Sequence, residues 1–124
     1  MMKIRIRFPD GEIIAGLDET PTAKAIARAL PFSSSANTWG EEVYFTAPVS
    51  VTPEADARQV VDPGTVCFWV QGSALALPYG PTPVSQGDEC RLVSKVNVLG
   101  KIEGDARQLS RIKDGDRITV EAVA

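Results

Sequence analysis

Charged and apolar residues alternate through Lys3-Ile4-Arg5-Ile6-Arg7-Phe8, setting Ile4, Ile6 and Phe8 on one face of a strand and three cations on the other. Pro9-Asp10-Gly11 supplies turn chemistry, so Glu12 to Leu17 is expected to return as the second arm of a hairpin. The period then changes. Thr20-Pro21 reads as a helix N-cap followed by proline in the first turn, and Ala23, Ile26, Ala27 and Leu30 recur at helical spacing until Pro31 stops the run. The apolar stripe of this helix is built on small alanines, which predicts close packing across the mouth or flank of a sheet.

Beyond Pro31 the strand pattern returns, with expected strands at 32–37, 42–45, 65–70, 74–77, 89–98 and 117–123. Asp62-Pro63-Gly64, Gln86-Gly87-Asp88 and Asp114-Gly115-Asp116 each precede one of them, and Ala106 to Arg111 reads as a second short helix or a single turn. About eight short strands with such punctuation predict a mainly β fold, a closed barrel or a sandwich, capped by one or two short helices. A chain of 124 residues fits one domain over 1–124, without linker, repeat or low-complexity segment. At this size folding hides roughly two thirds of the unfolded surface, enough for one core without covalent staples.

Charge narrows the partners. The formal net charge is −3 and the basic residues are scattered, so nucleic-acid binding is not expected. The sequence opens on a strand rather than on an apolar targeting segment, and no apolar run approaches the roughly 20 residues of a membrane helix. The expectation is a cytoplasmic protein with no membrane partner; its oligomeric state is not legible. Cys67 and Cys90 each lie in an apolar run and read as buried reduced thiols. A disulfide between them would require Cα atoms within about 7 Å.

The chain has no histidine, which removes the usual general base and the commonest nitrogen ligand for metals. The acidic pairs Asp18-Glu19, Glu41-Glu42 and Asp88-Glu89 lack the spacing of a calcium loop and read as solvated turn residues. The residues thus call for no cofactor, no metal and no catalytic group. Cys67 has no cation beside it to stabilise a thiolate, and Arg91, next to Cys90, points to the opposite face of its strand. Adjacent strand residues face opposite ways, so only one of Glu41 and Glu42 can turn inward. An inward Glu42 is expected to form a buried ion pair with Arg58 or Arg91, ahead of the alternative that it holds a ligand's amine. Gly80 fits neither a P-loop nor a dinucleotide fingerprint, and Pro81-Thr82-Pro83 is expected to fix an extended turn.

Aromatic residues carry the remaining signal. Trp39, Tyr44, Phe68, Trp69 and Tyr79 form either a ligand cleft or part of the core, with Phe68 the one best read as core. Asn37, Arg58 and Gln71 would supply hydrogen bonds at the rim of such a cleft, and Thr82 would lie at its edge in the turn.

Three stretches, Asn37-Thr38-Trp39-Gly40, Glu42-Val43-Tyr44-Phe45 and Gly80-Pro81-Thr82-Pro83, resemble the signature of small prokaryotic cyclophilin-like barrel proteins, a family of unsettled biochemical role. The resemblance runs from the first hairpin to the last strand and implies a closed cyclophilin-like barrel capped by short helices. It associates the groove of true cyclophilins with an arginine, aromatic residues, a glutamine, a tryptophan and a histidine. This chain lacks the histidine, and Arg58 and Gln71 are the stand-ins on offer. Three functional expectations follow. The first is a non-catalytic module binding a small metabolite or an extended, proline-containing peptide at an aromatic cleft. The second is a weak peptidyl-prolyl isomerase, since isomerisation needs no proton transfer but only relief of an amide barrier of about 18–20 kcal/mol. The third is a partner subunit of a bacterial enzyme, because related barrels occur with amide-cleaving or carboxylase-like enzymes.

Overall fold

The alternating N-terminal run forms the expected hairpin, β1 (Met2–Phe8) with β2 (Gly11–Leu17), in which Ile4 lies opposite Ala15 and Ile6 opposite Ile13. All four side chains are buried, while Arg5 and Arg7 reach Glu12 and Glu121 on the outer face. The structure, a computed structural model, describes residues 2–123. The helix α1 (Pro21–Ala29) begins as predicted: the Thr20 hydroxyl oxygen accepts from the Ala23 N–H at 3.1 Å, and Ala23 and Ile26 are buried beneath it.

The remaining strands are β3 (Phe32–Ser35), β4 (Asn37–Thr38), β5 (Glu42–Thr46), β6 (Arg58–Val61), β7 (Thr65–Trp69), β8 (Ala74–Pro78), β9 (Cys90–Ile102) and β10 (Arg117–Ala122). A 3-10 helix at Ala106–Arg111 takes the place of the second helix or turn. The strands form an antiparallel sheet in the order β3-β10-β1-β2-β9-β7-β8-β5-β4, with β6 paired to β9 off this path. Its two edges are the consecutive strands β3 and β4, so the chain at Ala36 passes from one edge to the other and nearly closes the sheet into a barrel. Backbone bonds hold this crossover to the turn before β10, Ala36 N–H to Asp116 O and Gly115 N–H to Ala36 O, both at 2.8 Å.

The count is ten strands rather than eight. The expected strand 32–37 divides at Ala36 into β3 and β4 because the chain changes sheet edge there. β6 was not predicted: its Arg-Gln-Val-Val sequence is largely exposed and shows little amphipathic contrast. β9 runs to Ile102 instead of ending at 98, since its second half is held by β7 and β2 through Gly100 and Lys101.

Two apolar clusters fill the molecule. The larger lies inside the barrel, where Val43 and Phe45 of β5, Val66 and Phe68 of β7, and Leu75 and Leu77 of β8 are fully buried. The smaller joins Cys67 and Ala76 to Val61, Cys90, Leu92 and Val96. Because strand neighbours alternate, these residues of β7 and β8 point out of the barrel, where β6 and the first half of β9 cover them. The Glu42, Tyr44 and Trp69 side chains belong to this outer layer. Asn97, fully buried on β9, ties the long loop before β6 to α1: its amide donates to Thr22 Oγ1 at 2.9 Å and Thr52 O at 3.0 Å, while its carbonyl accepts from Glu54 N–H at 2.8 Å.

Candidate functional site

Placing Val43 and Phe45 in the barrel forces Glu42 and Tyr44 to the outer face of β5. There Glu42 lies opposite Pro78 and Tyr44 opposite Ala76, whose other neighbour is Cys67. Trp69, two residues further along β7, brings its ring to that of Tyr44 edge to face, with centroids 6.3 Å apart and planes at 86°. This is a favourable arrangement for two aromatic quadrupoles.

The opposite wall comes from an irregularity. β6 and β9 pair at Arg58–Val96 and again at Val60–Arg91, so the register shifts and β9 arches between the two pairings. Gln59 holds the arch by donating its amide to Leu92 O at 3.0 Å. Leu92 and Val93 of this arch, with Val96 at its end, face Trp39, Tyr44 and Trp69 across a cavity of about 240 Å³, with Ala76 and Glu42 completing the lining.

Trp39 is carried to the cavity by a turn. Its N–H donates to Glu42 O at 3.0 Å, and Gly40 between them has φ +60°, a left-handed conformation that costs glycine little. A Cβ on Gly40 would stand 2.9 Å from both Pro83 Cδ and the Thr82 Cα. The turn that carries Trp39 and the turn at Gly80–Pro83 therefore pack on one another: Glu41 N–H donates to Pro81 O at 2.9 Å and Tyr79 N–H to Glu41 O at 2.8 Å. Thr82 is buried and donates its hydroxyl to Arg91 O, clamping the turn to β9. The Tyr-Gly-Pro-Thr-Pro segment braces the site from behind and does not line the cavity.

Glu42 is 5 % exposed, and its Oε1 is the buried side-chain oxygen without a hydrogen-bond partner among the described residues. The expected ion pair does not form. Arg91 is engaged with Glu89 at 2.6 Å, and Arg58 is exposed on β6, lining a different groove. Arg107 is held by Glu41 at 2.9 Å. Without a cation, burial alone pushes the Glu42 carboxyl up to about 7. The two thiols of this layer are buried and free, and burial raises both, that of Cys90 to about 11 and that of Cys67 further.

Of the nine residues read from the sequence as site candidates, Trp39, Glu42, Tyr44 and Trp69 come together. The other five do not line the cavity. The Asn37 amide turns back to Tyr44 O on the exposed face, and Gln71 accepts from Ser94 in a surface turn. Arg58 and Thr82 are placed as described. Tyr79 packs against the barrel core with Arg107 stacked 5.2 Å above its ring. Phe68 is core, as expected. Sequence reasoning missed Leu92, Val93 and Val96, because their role depends on the arch in β9 and not on any local motif.

A larger groove of about 580 Å³ runs past Arg58, Asp18, Asp62, Lys101 and Glu103. Its charges are of both signs, and none of its side-chain polar atoms is buried without a partner. The smaller aromatic cavity therefore has the stronger chemical claim. Among the described residues no group of three or more Cys, Asp and Glu could hold a metal ion, and no helix is long and apolar enough to cross a membrane.

These features define a β-barrel protein with a small aromatic cavity on its outer face. The chain belongs to the cyclophilin-like family, whose model matches residues 2–121. It is similar to a hypothetical protein from Archaeoglobus fulgidus known from its solution structure, with 40 % sequence identity and a TM-score of 0.83 over 98 % of this chain and 95 % of that one. No curated protein matches it.

Proposed function

We propose that this protein is a binding module that takes a small metabolite into the cavity between Trp39, Tyr44 and Trp69. The observation that carries the reading is Glu42: a buried carboxyl oxygen without a partner, facing an apolar aromatic space, is costly unless a ligand satisfies it. Drug-sized pockets span roughly 300–1,000 Å³, so a cavity of about 240 Å³ suits a smaller molecule better than a length of extended peptide. The subunit reading receives less support. The exposed large apolar residues among those described are Val60, Val84 and Val93, and Val93 belongs to the cavity itself.

The isomerase reading keeps one observation in its favour. Glu42 in its neutral form carries an O–H donor within an apolar space, the element that relief of amide resonance requires. Arg58 and Gln71, the donors it would otherwise use, are outside the cavity.

Both tryptophans of the chain line this cavity, so intrinsic fluorescence reports on it directly. Titration with a panel of cationic, neutral and anionic small molecules is expected to give a saturable change with at least one class. Exchange spectroscopy on Xaa-Pro peptides in parallel is expected to show no acceleration. Silence across the panel would overturn the binding reading, and accelerated exchange would promote the isomerase reading in its place.

A further inference from the structure

We infer that the cavity is built for a small organic cation, an aliphatic ammonium whose charge faces the Glu42 carboxylate while its carbon skeleton lies against Trp39, Tyr44 and Trp69. This deepens the binding reading above and rests on it. Three properties of the site select the charge.

The first is the polar inventory. Glu42 is the acidic group in the lining, and its Oε1 lacks a partner among the described residues. A neutral apolar ligand would leave that oxygen unsatisfied, and an anion would be repelled by the ionised carboxyl. The second is the aromatic wall, since the negative face of an indole or phenol ring attracts a cation within about 6 Å of its centroid, most strongly where water is excluded. The third is the disposition of the protein's own cations. Arg91 is paired with Glu89 and Arg107 with Glu41, while Arg58 lies in the neighbouring groove, so no arginine or lysine lines the cavity.

No cation is bonded to Glu42: Arg58 of β6 is close enough to lower the Cys67 thiol slightly against its burial, but it lines the neighbouring groove. Tyr44 stands on its own strand, Cys67 approaches from β7 and Cys90 from β9, and both thiols remain neutral at physiological pH. Neighbouring Glu41 spends its charge on Arg107, and Pro78 and Ala76 of β8 carry none. An entering ammonium therefore binds the ionised carboxyl and displaces the proton that burial otherwise retains. Apparent affinity should rise with pH, by about tenfold per unit below pH 7, and level off above it.

The test follows tryptophan fluorescence of the full chain with n-butylammonium, 1-butanol and butyrate, at pH 5.5 and pH 8. Butylammonium is expected to bind saturably at pH 8, at least tenfold more tightly than butanol and about tenfold or more less tightly at pH 5.5; butyrate is expected to give no response at pH 8, where Glu42 is ionised. Glu42→Gln should erase the preference for the amine over the alcohol while circular dichroism shows an intact fold. Equal binding of alcohol and amine, amine binding independent of pH, or undiminished amine binding by Glu42→Gln would each overturn the cationic assignment and leave the cavity as a binding site. The pH comparison is made on the unmodified protein, so it decides the matter even if the variant does not fold. Silence with all three probes and with the wider panel would overturn the binding reading as well.

Discussion

The Tyr44 ring stands edge to face with the Trp69 ring at a centroid distance of 6.3 Å, on the outer surface of the barrel rather than within it. This contact joins β5 to β7 across β8 and places two aromatic walls beside the Glu42 carboxyl. The cavity thus arises from a second, smaller apolar layer, laid over the barrel by β6 and the arched half of β9.

Glu42 makes stability depend on pH. Its folded value of about 7 lies above the ordinary 4.5, so the folded chain retains a proton that the unfolded chain releases between these values. Its contribution is harmless below pH 4.5 and becomes a penalty as pH rises to 7, on the order of 3 kcal/mol when complete. Urea unfolding of the unmodified protein and of Glu42→Gln should therefore diverge between pH 4.5 and 7, with the variant gaining relative stability at the upper end. Parallel curves across that window would contradict the unpartnered carboxyl.

Gly40→Ala should destabilise the protein by about 1–3 kcal/mol from its left-handed backbone alone, with more from the contact of the new Cβ against the Thr82 backbone. The displacement should reach Trp39, next in the chain. Its indole resonance is expected to shift while the Trp69 resonance stays in place. A stability loss without any movement of the Trp39 signal would mean that the turn and the cavity are independent.

Core and cavity aromatics should separate under truncation. Phe68→Ala, inside the barrel, should cost about 3–5 kcal/mol. Trp39→Ala is expected to cost clearly less and to weaken ligand response, and Tyr79→Ala to lower stability without altering that response. Thermal unfolding and fluorescence titration of the three variants read the two effects separately.

The thiols provide a further check. With burial holding Cys67 and Cys90 protonated, native protein at pH 8 should react with dithionitrobenzoate far more slowly than unfolded protein, which should release two equivalents. Rapid native reaction at one site would show that the outer layer opens.

Much of the barrel was legible because its signals are local. The Lys3–Phe8 alternation, the Thr20-Pro21 cap and the Asp114-Gly115-Asp116 turn each dictate structure within a few residues. The site was half legible. Aromatic residues near glycines pointed to Trp39, but the same argument pointed equally to Tyr79, and only packing separates them. For Glu42 the sequence showed only that one of Glu41 and Glu42 could turn inward, and suggested an ion pair if Glu42 did. That pair fails because Arg91 is engaged by Glu89, two residues earlier and just before β9, and because β6 turns Arg58 to solvent. The arch at Leu92 to Lys95 left no local trace, since a register shift between distant strands depends on both partners at once.

Glu42 is the carboxyl on which both the cavity's function and its ligand depend, and a carbon-13 NMR titration of its side chain in the ligand-free protein probes it without intermediary. A midpoint near pH 7 is expected, moving downward when butylammonium is added. A midpoint at the ordinary glutamate value of 4.5, unmoved by the amine, would show that Glu42 already has its partner and would contradict both the binding cavity and its cationic ligand.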